Sequence, residues 1–262
     1  MKKLFSIFLF LFTSLITNAQ KKVKSLEMAL LNPAEIIELN LNGSQERKEL
    51  PPEIAKLVNL KVLKLYGCGL TKISPEIGQL KNLEVLDLGG NYLKTLPSEF
   101  GNLVNLKEIN LMRNELEELP EEIGNLQNLS SLDLSNNKLI SLPLSFYMLK
   151  SLVILNLDWN QLSYLSPQVN EMSNLEMLSI SNNKLEFIPD NIWFVPNLYY
   201  LNLYKCGAML TIPKDFCDIP AFSVRPRGAT IDFWHMPSSL IIPKCSIGSD
   251  GIRKGWYIGV SK

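Results

Sequence analysis

The chain has 262 residues, enough for one large domain or one elongated array. Hydrophobic residues make up 46% and charged residues 20%, which excludes both a disordered tail and a membrane bundle. The 26 basic side chains are balanced by 26 acidic ones, so the overall charge gives no electrostatic footprint for nucleic acid, which needs a clearly basic face.

The first expected element is a signal peptide over residues 1–19. Lys2 and Lys3 form a positive n-region, and Leu4 to Ile16 an apolar stretch broken only by Ser6, Thr13 and Ser14. Thr17-Asn18-Ala19 then offers a small residue for cleavage after Ala19. The apolar run is shorter than the roughly 20 residues of a membrane-spanning helix, and no cysteine follows the cleavage site to take a lipid. The expected product is an exported chain without a membrane span, periplasmic, at the cell surface or secreted. Cleavage removes two lysines and leaves 24 basic against 26 acidic residues, a net charge of −2. An N-terminal cap is expected over 20–35. Its short helix opens at Ser25, runs to Leu31 and stops before Asn32-Pro33, with Leu26, Met28, Leu30 and Leu31 laid over the first core.

From Ile36 a repeat sets the architecture. Leu60, Leu83, Leu106, Leu129, Leu152, Leu175 and Leu198 are each 23 residues apart. Inside a unit the frame is Leu83-x-x-Leu86-x-Leu88-x-x-Asn91-x-Leu93-x-x-Leu96-Pro97-x-x-Phe100-x-x-Leu103. Eight units fit between residues 36 and 221. The x-Leu-x-Leu-x part alternates with period two and predicts a short strand with its leucines inward. The Leu-Pro-x-x-Ile part changes to a spacing of three, which suits a helical or 3-10 turn. One unit cannot bury enough surface to order itself, so the units must stack and the ends must be capped.

This frame resembles the leucine-rich repeat, over 186 of the 262 residues, and its Leu-Pro-x-x-Ile half is similar to the 23-residue class of Ras-suppressor-like and bacterial secreted repeat proteins. The resemblance implies an α/β solenoid, with a parallel β-sheet on the concave side and short helical or 3-10 turns on the convex side. It also implies a partner held on the concave sheet, through the third, fifth, seventh, eighth and tenth positions of each unit. That partner is expected to be a protein. The alternative is a glycan or small envelope ligand stacked on aromatic side chains. The residues singled out for binding are Tyr66, Tyr92, Met112, Arg113, Asp158, Trp159, Tyr200 and Tyr204. Exposed Trp, Tyr and Arg are the types enriched where binding energy concentrates, and Trp159 has no place in the core pattern.

Asn91, Asn114, Asn137, Asn160 and Asn183 recur at the ninth position, where an inward amide must be fully hydrogen-bonded. Cys68 and Cys206 take the same position in their units. Six units, about 29 Å at the strand spacing, separate them, too far for a disulfide. A bond between Cys217, at the end of the last unit, and Cys245 is expected, with Cys206 bonded to either of them as the alternative. The tail, residues 222–262, loses the frame and reads as an irregular cap. No catalytic, metal or cofactor site is expected. The one histidine, His235, lies in that tail, without a nucleophile motif or a paired cysteine spacing around it.

Overall fold

In the computed structural model, residues 22–44, 48–207, 229–232 and 256–259 are described. The expected signal peptide, His235 and the Cys217–Cys245 pair lie outside them. In chain order the strands are β1 (Lys22–Val23), β2 (Glu38–Asn40), β3 (Glu49–Leu50), β4 (Val62–Lys64), β5 (Lys72–Ile73), β6 (Val85–Asp87) and β7 (Glu108–Asn110). They continue as β8 (Ser131–Asp133), β9 (Ile154–Asn156), β10 (Met177–Ser179), β11 (Tyr200–Asn202), β12 (Ala229–Asp232) and β13 (Trp256–Gly259).

Among the described residues these strands form one eleven-stranded parallel sheet, in the order β1-β2-β4-β6-β7-β8-β9-β10-β11-β12-β13, while β3 and β5 pair separately. Register follows the 23-residue period: Leu63 pairs with Leu86, Leu86 with Ile109, Ile109 with Leu132, and so on to Leu178 with Leu201. Each three-residue strand shows its middle leucine or isoleucine buried and its two neighbours half-buried or exposed. This is the alternation read from the sequence. On the opposite side, 3-10 turns occupy Pro52–Lys56, Pro75–Gln79, Ser98–Asn102, Glu121–Asn125, Leu144–Met148, Pro167–Glu171 and Asp190–Phe194. Each buries its apolar residue of the Leu-Pro-x-x-Ile half, as Ile77, Phe100, Ile123 and Phe146 show.

The asparagine ladder stitches the units together. Asn114 Nδ2 donates to the carbonyls of Leu88 and Leu111 at 2.9 and 3.0 Å, and its Oδ1 accepts from the Leu93 N–H at 3.0 Å. Each amide thus joins its own turn to the preceding unit, and Asn91, Asn137, Asn160 and Asn183 repeat the arrangement. Cys68 fits the slot by donating its thiol to the Leu41 carbonyl at 3.0 Å. Cys68 and Cys206 are both buried. A second ladder was not read from the sequence. Asn59, Asn82, Asn105, Asn128 and Asn197 donate to the carbonyls of Ala34, Val58, Lys81, Val104 and Ser173.

Two expectations about the ends are corrected. The helix α1 (Leu26–Leu31) is capped by Ser25, whose hydroxyl accepts from the Met28 N–H. Its core face, however, is Leu26, Ala29 and, in part, Leu30. Met28 and Leu31 are 60% and 69% exposed, because the helical period puts i, i+3 and i+4 on one side. At the other end the tail is not wholly irregular. β12 and β13 extend the sheet in register, Ile231 pairing with Leu201 and with Ile258.

The joint between the fifth and sixth units is unlike the rest. Gly78, Gly101 and Gly124 stand at the same place in successive turns because the next turn presses on them. A Cβ on Gly78 or Gly124 would lie 2.5 Å from the carbonyl oxygen of Glu99 or Ser145, and one on Gly101 would overlap that of Glu122. In the fifth unit this place is taken by Tyr147, whose side chain is buried, with its hydroxyl accepting from the Ser166 N–H at 3.1 Å. The ring wedges the turns apart, and contact between Leu144–Met148 and Pro167–Glu171 is the sparsest of the series.

Candidate functional site

The floor of the concave face is given over to structure. At the fifth position Asn110 donates to the Asp87 carboxylate at 2.9 Å, Asn202 to the Ser179 hydroxyl at 2.9 Å, and Asn156 to Asp133 at 3.4 Å. The same side chains accept from the backbone N–H two residues on: Gly89 for Asp87, Met112 for Asn110, Ser135 for Asp133, Asp158 for Asn156. These links brace one strand against the next and turn each chain at its strand end. Asp158 serves the same purpose, because its Oδ1 accepts from the Ser179 hydroxyl at 2.6 Å and the Ser181 N–H at 2.7 Å.

The eighth position forms a rim above this floor, and its backbone is left-handed in every unit. Gly43, Gly67 and Gly90 have φ of 75°, 66° and 65°, and Arg113, Asn136, Trp159, Asn182 and Lys205 follow with φ of 53°, 55°, 56°, 51° and 49°. The conformation is imposed by the ladder. The Arg113 N–H donates to the Ser135 carbonyl at 2.9 Å, Asn136 to Asp158 at 2.8 Å, Trp159 to Ser181 at 2.9 Å and Asn182 to Tyr204 at 2.8 Å. Glycine and asparagine accept left-handed backbone readily, whereas other side chains lose about 1–2 kcal/mol there. Five of the eight rim residues are glycine or asparagine; Arg113, Trp159 and Lys205 are not. Strain of this kind collects where a side chain is used for something other than folding.

Trp159 recovers little of that cost by packing, since it is 59% exposed. Neither its indole nor the Arg113 guanidinium has a side-chain hydrogen bond or ion pair among the described residues. Lys205 Nζ lies 5.2 Å from the centre of the Tyr204 ring, a cation–π contact. The floor beside Trp159 is apolar at the third position, where Ile154 is 43% exposed and Met177 and Tyr200 are half-buried.

The eight residues expected to bind therefore do not form one patch. Arg113, Met112, Asp158, Trp159, Tyr200 and Tyr204 share the half of the array from the fourth unit to the eighth. Tyr66 belongs to the second unit, about 19 Å along the stack from Trp159, and its ring is laid on the Gly89-Gly90 peptide. A Cβ on Gly89 would stand 2.9 Å from the Tyr66 ring, so that glycine pair is the seat of the tyrosine. Tyr92, in the third unit, is 57% exposed and stands apart from Trp159. The sequence reading missed the left-handed rim, although glycine and asparagine at five of its eight places were its signal. It also missed a flank of exposed apolar side chains, in which Tyr164 and Phe187 pair edge to face at 5.7 Å between centroids.

Among the described residues no helix is long and apolar enough to cross a membrane, and no group of His, Cys, Asp and Glu is arranged to hold a metal ion. The family description "leucine-rich repeat region" matches residues 98–203, and "leucine rich repeat" matches residues 58–116. No curated protein matches the chain. Among solved structures, a leucine-rich repeat protein of Leptospira interrogans is similar at 29% identity and a TM-score of 0.52, over 81% of this chain and 71% of that one. The plant peptide hormone receptor RGFR1 in complex with RGF2 is similar at 28% identity and a TM-score of 0.65, over 76% of this chain. An internalin from Listeria monocytogenes shares the fold at 22% identity and a TM-score of 0.53, over 72% of this chain. The chain spans 33% of the length of the receptor and 59% of that of the internalin. Repeat frame, parallel ladder and family match agree: the chain is a leucine-rich repeat protein.

Proposed function

We propose that this protein is an exported, non-catalytic binding module that holds a protein partner against the concave face between its fourth and eighth units. The observation that carries the reading is Trp159, a large aromatic side chain kept 59% exposed on left-handed backbone where asparagine would cost less. Arg113 and Tyr204 flank it on the same face, and Trp, Tyr and Arg supply most hot spots of protein interfaces. The similar plant receptor, whose structure was solved with RGF2, supports a peptide or protein as the kind of ligand this fold presents. Export rests on the lysine-led apolar stretch at residues 2–16 and the small residues that follow it.

The test compares crosslinked partners of the wild-type chain with those of Trp159→Ala and Arg113→Ala, in envelope and medium extracts, by quantitative mass spectrometry. A partner of this face is enriched by wild type and lost with Trp159→Ala, while the melting temperature stays within a few degrees. Equal capture by all three proteins refutes the assignment of the face.

A further inference from the structure

We infer that the rim from Arg113 to Lys205 is built for an acidic segment in the polyproline II conformation, with an apolar residue or proline seated on Trp159 and a carboxylate on either side. The inference rests on the proposed binding face and adds the chemistry of its ligand. Its first support is spacing. The large rim residues fall in alternate units, Arg113, Trp159 and Lys205, with Asn136 and Asn182 between them. Each rim N–H from Arg113 to Asn182 donates to the carbonyl just before the next rim residue, so two units advance about 9.6 Å at the strand spacing. A polyproline II helix has three residues per turn at a rise of about 3.1 Å, so residues i, i+3 and i+6 line one face about 9.3 Å apart. An extended strand, with every second residue on a face about 6.6 Å apart, can reach from Arg113 to Lys205 but puts no same-face residue at the middle step of about 9.6 Å, where Trp159 stands. Proline-rich segments also dock on exposed aromatic rings, because their backbone is already ordered.

Charge is the second support. The eighth and tenth positions of units four to eight carry Arg113, Lys138, Lys184 and Lys205 against Glu115, four positive minus one negative, or +3. Glu115 is itself paired to Lys138 at 2.8 Å. The floor below is acidic, through Glu108, Asp133 and Asp158, so an anionic ligand is repelled from the floor and held at the rim. The rim thus separates an acidic ligand from a basic one.

The probes are acetyl-Glu-(Pro)5-Glu-amide and its versions with Gln or Lys in place of both Glu residues, titrated into the full chain by calorimetry at low salt. The Glu peptide is expected to bind at least tenfold more tightly than the Gln peptide, with the Lys peptide weakest, and to weaken as salt is raised. Trp159→Asn is expected to lower its affinity at least tenfold while raising the melting temperature, since asparagine suits the backbone. Arg113→Gln is expected to reduce the preference of Glu over Gln, and Arg113→Gln with Lys205→Gln to abolish it. Equal binding of the three peptides, no binding, or binding unaffected by Trp159→Asn overturns the inference. So does Trp159-dependent binding of a carboxylated polysaccharide such as hyaluronate in place of the peptide. Partner capture that depends on Trp159, with no response to the Glu peptide, leaves the protein-binding face standing and removes only this ligand chemistry.

Discussion

Replacing Asn137 by alanine tests the ladder at a single residue, and the outcome can be worked out bond by bond. Asn137 is 8% exposed, donates to the carbonyls of Leu111, Leu134 and Ser135, and accepts from the Leu116 N–H at 3.0 Å. The three carbonyls survive its loss. Leu111 keeps the Asn114 amide, Leu134 keeps the Asn160 amide, and Ser135 keeps the Arg113 N–H. The Leu116 N–H, in the preceding unit, keeps nothing. One buried orphan donor costs about 1–3 kcal/mol, and two good hydrogen bonds lost add about 0.5–1.5 kcal/mol each. Asn137→Ala is therefore expected to destabilise by about 3 kcal/mol, a fall of about 6–12 °C in melting temperature for a chain of this size. Asn137→Asp keeps the acceptor for Leu116 but turns a second oxygen toward three carbonyl oxygens. At pH 7 it should be worse than alanine. Because that oxygen can donate once protonated, its folded-state pKa lies above the unfolded value near 4. The deficit against Asn137→Ala then grows as pH rises from 4 toward 7. Asn137→Cys, which copies Cys68, should fall between wild type and alanine. Urea denaturation followed by circular dichroism at pH 4, 5.5 and 7 measures all three. A cost under about 1 kcal/mol for Asn137→Ala, or an aspartate variant no worse than alanine at pH 7, would refute this account of the ladder.

Other outcomes follow from the packing and the titrating groups. Gly101→Ala drives a methyl group into the Glu122 carbonyl and is expected to cost about 1–3 kcal/mol by overpacking. Gly67→Ala meets no atom within 4 Å at φ +66° and should cost only about 1 kcal/mol of backbone strain, so calorimetry should rank the two in that order. Burial pushes the Tyr147 hydroxyl up to about 12 from 10. Stability is then unaffected below pH 10, and between pH 10 and 12 the unfolded chain loses the proton that the native state retains. The drop reaches about 2.7 kcal/mol at 1.36 kcal/mol per unit. Tyr147→Phe should lack this alkaline drop in a pH series of urea melts, and should lose about 1–3 kcal/mol at neutral pH through the orphaned Ser166 N–H. Desolvation raises the Cys68 thiol pKa above its ordinary value. In a Cys217→Ser, Cys245→Ser background, aromatic disulfide reagents should react with Cys68 only as fast as the native state opens.

The architecture was legible because a solenoid repeats its instructions. The strand alternation, the turn spacing of three and the inward asparagines each occur several times, and a misreading of one unit is corrected by the next. What occurs once was hidden. The strand at Ala229–Asp232 carries only a short alternation, and its pairing with β11 depends on the neighbour. Nothing in the sequence marks Tyr147 as a wedge, because only the pressure of the following turn explains why glycine belongs at that place. For the candidate site, exposure of Trp159 followed from its place outside the core pattern. Tyr66 was named with the other outward residues, and sequence spacing does not show that its ring lies on the Gly89-Gly90 peptide. The left-handed rim links eight residues of unlike chemistry by one dihedral angle, and hydropathy does not report dihedral angles.

The Tyr147 wedge also bears on how the array comes apart. In a stack whose units touch only their neighbours, cooperativity is carried from joint to joint. The fifth-to-sixth joint keeps its strand pairing and its Asn160 bridge to the Leu134 carbonyl, but it has given up most of the turn-on-turn contact that the other joints between described turns retain. Native-state hydrogen exchange should therefore divide the amides into two blocks meeting at this joint, each opening as a unit with its own free energy. Trp159 sits in the first unit of the second block, with Arg113 in the first. A ligand spanning the two would act as a clasp across the seam, merging two opening events into one.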